Sequence, residues 1–258
     1  MGDDIGMRAQ PGTDSAEHSV DPGERSAAPQ HRRVTSFRTR RSTLSDHQHA
    51  TWERRWPELG RVARSGADGA EPEPLDTAAW FGRSAPVVLE IGCGTGTSTL
   101  AMAQAEPEID VVAVEVYKRG LAQLLSAIDR AQVSNIRLIR GDGVDVLEHL
   151  FGPDSLTGVR VFFPDPWPKA RHHKRRLLQP STVALIADRL RPGGILHAAT
   201  DHADYAEQIA EVGDAEPRLR RISAAAALPI SVQRPTTKYE SKAHTAGSAI
   251  TELLWERS

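Results

Sequence analysis

The stretch VVLEIGCGTGT, Val87–Thr97, decides how the rest of the chain is read. An apolar run carrying one acid, Glu90, leads straight into glycines at 92, 94 and 96. A short apolar run bounded by a turn signal reads as a buried strand. Glycines spaced two apart permit positive φ and let a ligand come close to the main chain where a helix opens. A nicotinamide-binding turn needs G-x-G-x-x-G, and Thr97 stands where its third glycine belongs. The lysine of a nucleotide-phosphate loop is missing as well.

Working outward from this turn, apolar strands alternate with helical stretches. Strands are expected at Val87–Ile91, Ile109–Glu115, Ile136–Arg140, Val159–Phe163 and Gly194–Thr200, with a further one at Ile250–Trp255. Helices are expected at Thr97–Ala105, Tyr117–Gln132, Val144–Leu150, Ser181–Leu190 and Asp204–Glu211. This alternation predicts an α/β domain over residues 86–258, with a mostly parallel sheet covered by helices on both faces.

Upstream the composition changes. Residues 1–30 are rich in Gly, Pro, Ser and acids and read as a disordered acidic tail. Residues 31–85 read as a basic arm, a helix and a linker. Five arginines lie within 31–41, forming either a solvated arm or one that contacts phosphates. Ser45 and Gln48 have the spacing of a capping box, and the helix they open is expected to stop at Pro57. Residues 60–85 look like a linker anchored by Trp80 and Phe81.

The formal charge of the 258 residues is −2, which by itself does not suggest a nucleic-acid partner. The first 30 residues hold six acids and two arginines, so the remainder carries 28 acids and 30 bases. Any nucleic-acid site must then come from local basic clusters. No run is long and apolar enough for a membrane span, and no secretory signal is visible, so a cytoplasmic location is expected. The one cysteine, Cys93, excludes an internal disulfide and a cysteine-rich zinc site. His172 and His173 are adjacent rather than spaced as ligands, and no metal is expected.

Acids recur at the expected strand ends. Glu90 precedes the glycine turn, Glu115 ends the next strand and Asp142 follows the third. In such sheets ligands bind beyond the carboxyl ends of the strands. An acid at Glu115 suits ribose hydroxyls, and a carboxylate at Asp142 suits an adenine amino group. Three acids around one pocket disfavour a polyphosphate and suit S-adenosyl-L-methionine, which carries a cationic sulfur and an amino group.

The fourth strand runs into Pro164-Asp165-Pro166-Trp167-Pro168. The prolines stiffen the backbone around Asp165, which lowers the cost of ordering the loop when a substrate arrives. Trp167 either stacks on a base or closes the core of the loop. Lys169, Arg171, Lys174, Arg175 and Arg176 follow within eight residues. A basic run beside a reaction centre points to phosphate contacts, and so to a base within a structured nucleic acid.

Five segments, RTRRSTLSDHQ (38–48), EIGCGTG (90–96), FFPDPWPKARHHKRR (162–176), ATDHADYAEQ (199–208) and RPTTKYESKAH (234–244), resemble the bacterial tRNA (guanine-N7-)-methyltransferase family. The resemblance runs from about residue 34 to the C-terminus. It implies a class I (Rossmann-like) methyltransferase fold with seven strands, one of them antiparallel. It also implies methyl transfer from S-adenosyl-L-methionine to N7 of guanine in tRNA, usually guanine 46 of the variable loop. Glu90, Gly92, Gly94, Gly96, Glu115, Asp142 and Asp165 would contact the cofactor, with Asp165 as the active-site residue. Lys169, Asp201, Thr237, Lys238, Tyr239 and Glu240 would bind substrate. Arg40 and Arg41, in the segment matched to RNA holding, would join the loop cations on phosphates. The sequence departs from the family pattern at His202, where tryptophan is frequent. Monomer and homodimer are both open. The alternatives are methylation of another RNA base or amine, and a non-catalytic RNA-binding scaffold on the same fold.

Overall fold

β2 (Val87–Ile91) is buried along its whole length, and so is β3 (Asp110–Glu115) beside it. Strands buried on both faces need a layer of helices on each side. A computed structural model of the chain describes residues 43–63, 73–224, 228–235 and 249–258. Thr237, Lys238, Tyr239, Glu240, Arg40 and Arg41 lie outside the described residues. The described elements run α1 (Asp46–Leu59), β1 (Gly60–Val62), α2 (Thr77–Phe81), β2, α3 (Thr97–Ala105), β3 and α4 (Lys118–Ala131). They continue with β4 (Ile136–Arg140), α5 (Gly143–His149), β5 (Leu156–Phe162), a 3-10 helix (Ala170–Arg175) and α6 (Pro180–Arg189). The last are β6 (Leu190–Thr200), α7 (Ala203–Ala215), β7 (Leu219–Ile222) and β8 (Thr251–Arg257).

The sheet order is β1-β4-β3-β2-β5-β6-β8-β7. Among the described strands only β8 opposes its neighbours, pairing antiparallel with both β6 and β7. The chain leaves β2 toward β3 and β4, then returns to pair β5 on the other side of β2. That reversal makes the β2/β5 crevice the switch point where ligands bind in such sheets.

Alternate residues of each central strand face opposite layers. Leu89, Ile91, Val112, Val114, Val159 and Val161 join one core cluster with Ile186, Tyr205 and Trp255. Val111, Ala113 and Leu138 join a second with Leu121, Leu124, Leu125 and Ile128 of α4. The amphipathic pattern of α4 therefore has a matching apolar face on the sheet.

Several expectations shift at the edges. The Ser45–Gln48 capping box forms, with the Gln48 N–H donating to Ser45 Oγ and the Ser45 N–H to Gln48 Oε1. α1, however, runs through Pro57 to Leu59. A proline in the last turn forfeits one helical hydrogen bond, and the burial of Leu59 offsets that loss. The stretch read as a linker holds β1, a three-residue edge strand on β4, and α2, capped by Asp76 at its start and by Gly82 (φ 73°) at its end. Trp80 and Phe81 do act as anchors. The Trp80 indole donates to the Glu58 carbonyl at 3.2 Å, and the Arg137 guanidinium lies over the Phe81 ring at 4.5 Å. Among the described residues the sheet thus has eight strands, the expected seven plus β1.

A buried ion pair ties the segment 228–235 to the sheet. The Arg160 guanidinium, wholly buried on β5, donates to Glu106 Oε2 at 2.7 Å and to the Ser231 carbonyl at 3.0 Å. The other Glu106 oxygen accepts from the Ser231 N–H. Ile230 packs next door with Val88, Ile109, Ile195 and Leu254. Removing one partner of a buried pair leaves the other charge uncompensated. Glu106→Ala is therefore expected to lower unfolding free energy by about 3–5 kcal/mol, read as a shift in the urea midpoint at unchanged slope. A loss below about 1 kcal/mol, the range of exposed pairs, would contradict this account.

Candidate active site

Glu90 and Val88 share one face of β2, so the Glu90 carboxylate enters a packed layer instead of solvent. It is 3 % exposed, and its Oε2 has no hydrogen-bond partner among the described residues. Burial pushes its pKa up, against the opposing pull of the Arg160 guanidinium and of the Thr99 hydroxyl. A buried carboxylate with no ion-pair partner of its own among the described residues can take a cationic ligand.

The turn above it is built for close approach. Gly92, Gly94 and Gly96 all have positive φ, at 81°, 56° and 74°. Side chains added at Gly92 or Gly94 would meet nothing within 4 Å, so both face open space. Gly96 has a different role, since a Cβ there would come within 2.4 Å of Leu124 on α4. Gly120 completes the fit, because a Cβ on it would strike the Gly94 carbonyl at 2.3 Å. Cys93 is buried within the turn, and burial pushes its thiol pKa well up, so it is a packed side chain and not a nucleophile.

Glu115 ends β3 beside this turn and holds it. Its Oε2 accepts from the Gly94 N–H at 3.0 Å, and its Oε1 accepts from the N–H groups of Val116 and Tyr117 at 2.7 and 3.0 Å. A carboxylate offers roughly four acceptor positions, so these bonds occupy most of them. Asp142 caps α5, its Oδ1 accepting from the Val144 N–H at 2.8 Å.

The register of the sheet brings the second loop alongside. Ile91 pairs with Val161, so the chain leaves β2 into the glycine turn and β5 into the Pro164–Pro168 loop from neighbouring strands at nearly one level. Phe162 pairs with Ala199 on β6, which puts Asp201, exposed just after Thr200, on the same rim. Phe163 and Trp167 both have positive φ, at 51° and 44°, values that large side chains rarely adopt. Asp165 sits between them, exposed. The loop is pinned at both ends. The Phe163 N–H donates to the Ala199 carbonyl at 2.8 Å, and the Pro166 carbonyl accepts from Arg176 Nε at 2.8 Å.

The chain is similar to 483 curated proteins. Three of them are each called tRNA (guanine-N(7)-)-methyltransferase. The protein of Mycolicibacterium vanbaalenii is 73% identical over 95% of this chain and 94% of its own length. That of Mycolicibacterium gilvum is 72% identical over 88% of each, and that of Mycobacterium sp. strain KMS is 74% identical over 90% of this chain and 83% of its own. Residues 84–253 also match the family model described as "Putative methyltransferase". The chain belongs to the tRNA (guanine-N7-)-methyltransferase family.

Within this family member, one expected phosphate ligand needs correction. Arg176 is 2 % exposed. Its guanidinium donates to the Pro166 carbonyl, to Gln208 Oε1 at 2.6 Å and to Asp204, and it lies over the Tyr205 ring at 4.7 Å. It clamps the loop to α7 and is not presented to RNA. Arg175 is half-buried over the Trp167 ring at 5.0 Å, and His172 meets the same ring edge-on at 5.8 Å. Trp167 thus closes the core of its own loop. Lys169, Arg171 and Lys174 remain exposed.

A polar cluster behind the loop has no counterpart among the expected site residues. Glu252 on β8 accepts from Arg234 at 2.8 Å and bonds His197 Nε2 at 3.1 Å. The hydrogen bond from His197 and the Arg234 guanidinium push the Glu252 pKa down to about 2, while burial pushes that of His197 down. Its bond to the Glu252 carboxylate, which can only accept when ionised, assigns a proton to His197 Nε2. The hint in the sequence is a polar residue inside an apolar strand: Arg160 in VRVFF and His197 in GILHAAT.

Two outcomes test this reading. Arg176→Ala is expected to cost at least about 1.5–3 kcal/mol, since it removes several charge-assisted bonds, whereas Lys174→Ala leaves the urea midpoint unchanged. Equal midpoints for both variants would return Arg176 to the surface. For pH, both depressed groups stabilise the fold above their ordinary values, 6.5 for His197 and 4.5 for Glu252, and that stability is lost as pH falls. Glu90, pushed up, works in the opposite sense, so the variants carry the comparison. Glu252→Gln should flatten the decline between pH 4.5 and about 2, and an unaltered slope there would refute the ionised pair.

Proposed function

We propose that this enzyme transfers the methyl group of S-adenosyl-L-methionine to N7 of a guanine in tRNA, guanine 46 of the variable loop, in the cytoplasm. The observation that carries the cofactor assignment is the buried Glu90 carboxylate, with one oxygen unpartnered among the described residues, next to a turn whose Gly92 and Gly94 face open space. A cationic amine of the cofactor supplies the partner this carboxylate lacks. Glu115 and Asp142 offer acceptors for the ribose and the adenine amino group from the neighbouring strand ends. When bound, S-adenosyl-L-methionine supplies a methyl group on a cationic sulfur, which the N7 lone pair takes up as the carbon–sulfur bond breaks and S-adenosylhomocysteine is released.

N7 of guanine carries a lone pair and no proton, so the chain needs no general base at the nucleophile. Its contribution is alignment and charge. Asp165 and Glu240 accept from the N1 and amino hydrogens of the guanine. The positive charge that the ring gains on methylation is favoured by the same carboxylates. The prolines and pinned ends of the Asp165 loop lower the ordering cost when the base arrives. Lys169, Asp201, Thr237, Lys238 and Tyr239 hold the substrate around it. Lys169, Arg171 and Lys174, with Arg40 and Arg41, contact phosphates and orient the tRNA. Arg175 reaches phosphate only by leaving the Trp167 ring.

Unmodified tRNA transcript and labelled S-adenosyl-L-methionine, followed by nucleoside analysis, test the reading. Label is expected in 7-methylguanosine and is expected to vanish when guanine 46 is changed to adenine. Label in another nucleoside would replace the target, and cofactor binding without transfer would favour a scaffold role. Asp165→Asn is expected to lower turnover on the order of 10²-fold with little change in cofactor affinity. Glu90→Gln is expected to weaken cofactor binding roughly 10–100-fold. Interchanged effects would reverse the two roles.

A further inference from the structure

Asp165 lies two residues beyond Phe163, whose backbone is held at φ 51°. A bulky residue keeps such a conformation only where its surroundings over-determine it. The Phe163 N–H bond to Ala199 is one restraint. The other comes from a distant part of the chain. The Arg234 guanidinium lies 5.0 Å from the centre of the Phe163 ring and 5.4 Å from that of Phe162, while its Nη2 donates to Glu252 at 2.8 Å. Phe162 is held from a further direction by His197, which meets its ring edge-on at 4.8 Å and shares the Glu252 carboxylate. The Arg234 side chain is 3 % exposed, so these attractions act largely out of water. The segment that carries it is itself fastened to the sheet by Ile230 and by the bonds of Ser231 to Glu106 and Arg160.

We propose that Arg234 is a positioning residue for methyl transfer, holding the Phe162–Phe163 pair so that Asp165 is presented to the guanine in one orientation. In this role Arg234 acts through the two rings and not on a reactant. Its planar guanidinium is suited to the task because it covers aromatic faces while donating to a carboxylate in its own plane, which an ammonium cannot do. A lysine keeps the charge opposite Glu252 but not the flat contact with two rings. The inference rests on the assignment of Asp165 to the substrate guanine.

The test compares Arg234→Lys, Arg234→Met and Asp165→Asn, and each Arg234 variant combined with Asp165→Asn, on unmodified tRNA transcript. Single-turnover methyl transfer is measured together with dissociation constants for cofactor and tRNA and with thermal midpoints. Arg234→Lys is expected to keep the thermal midpoint and both affinities within about twofold yet lower the transfer rate on the order of 10²-fold, the size of effect a misplacement of about 1 Å produces. In the Asp165→Asn background the same change should cost less than about threefold, because the group it positions is already gone. Two results would overturn the proposal: an unchanged rate for Arg234→Lys, or losses that multiply in full with Asp165→Asn. If Arg234→Met fails to fold, the lysine variant still decides between these outcomes. A parent enzyme that transfers no methyl to tRNA would defeat the proposed function, whereas an active parent with a fully active Arg234→Lys would defeat only this inference.

Discussion

Ile91 on β2 and Val161 on β5 are register partners, and the geometry of the candidate site depends on that pairing. Beyond one strand the chain turns through Gly92–Gly96, and beyond the other it enters the Phe163–Pro168 loop. Parallel strands point their carboxyl ends the same way, so both loops open on one rim. A slip by one residue would turn Glu90 to the opposite face and replace it with an apolar side chain. The apolar demand of both helical layers resists such a slip. The hydrophobic core therefore specifies the chemistry indirectly, by making only one register affordable.

Charge inside this core follows a consistent logic. Arg160 is matched by Glu106, and His197 and Arg234 share Glu252. Each of these groups would be costly alone in a dry interior, and each has a partner whose removal exposes that cost. Together they secure the segment 228–235 and the back of the Asp165 loop. Glu90 differs from them in having no ion-pair partner among the described residues, where its Oε2 also has no hydrogen-bond partner. A buried acid without an ion-pair partner of its own among the described residues, next to a turn open to ligand, is the feature on which the proposed cofactor position rests.

Both loops of the site are stiff for identifiable reasons. The glycine turn is held from Glu115 through the Gly94 N–H and is backed by Gly120 on α4. The Asp165 loop is stiffened by prolines, pinned by Ala199 and Arg176, and filled by Trp167 under Arg175. A surface of this kind favours alignment of a nucleophile that has no proton to lose, the main demand of transfer to N7. The cations that stay exposed, Lys169, Arg171 and Lys174, stand beside the loop where they can orient a long anionic substrate without entering the reaction.

The local order of the chain already contained the α/β plan, the glycine turn, the acids at the strand ends and the stiff loop around Asp165. Each depends on spacing and residue type within a few positions, and the Ser45–Gln48 cap formed for the same reason. The weak edges, β1 and β7, were not legible, because strands of three and four residues with polar faces carry no apolar run. Nor was the passage of α1 through Pro57, which depends on where Leu59 is buried. Arg176 shows the deeper limit. In sequence it is one of five cations in a run, equal to its neighbours. Its burial against Pro166, Gln208 and Asp204, and likewise the contact of Arg234 with Phe162 and Phe163, is decided by residues far along the chain. Local pattern sets which elements form and which groups are available. Only packing, which brings α7, β8 and the 228–235 segment against the loop, decides which charges face the substrate and which hold the site in place.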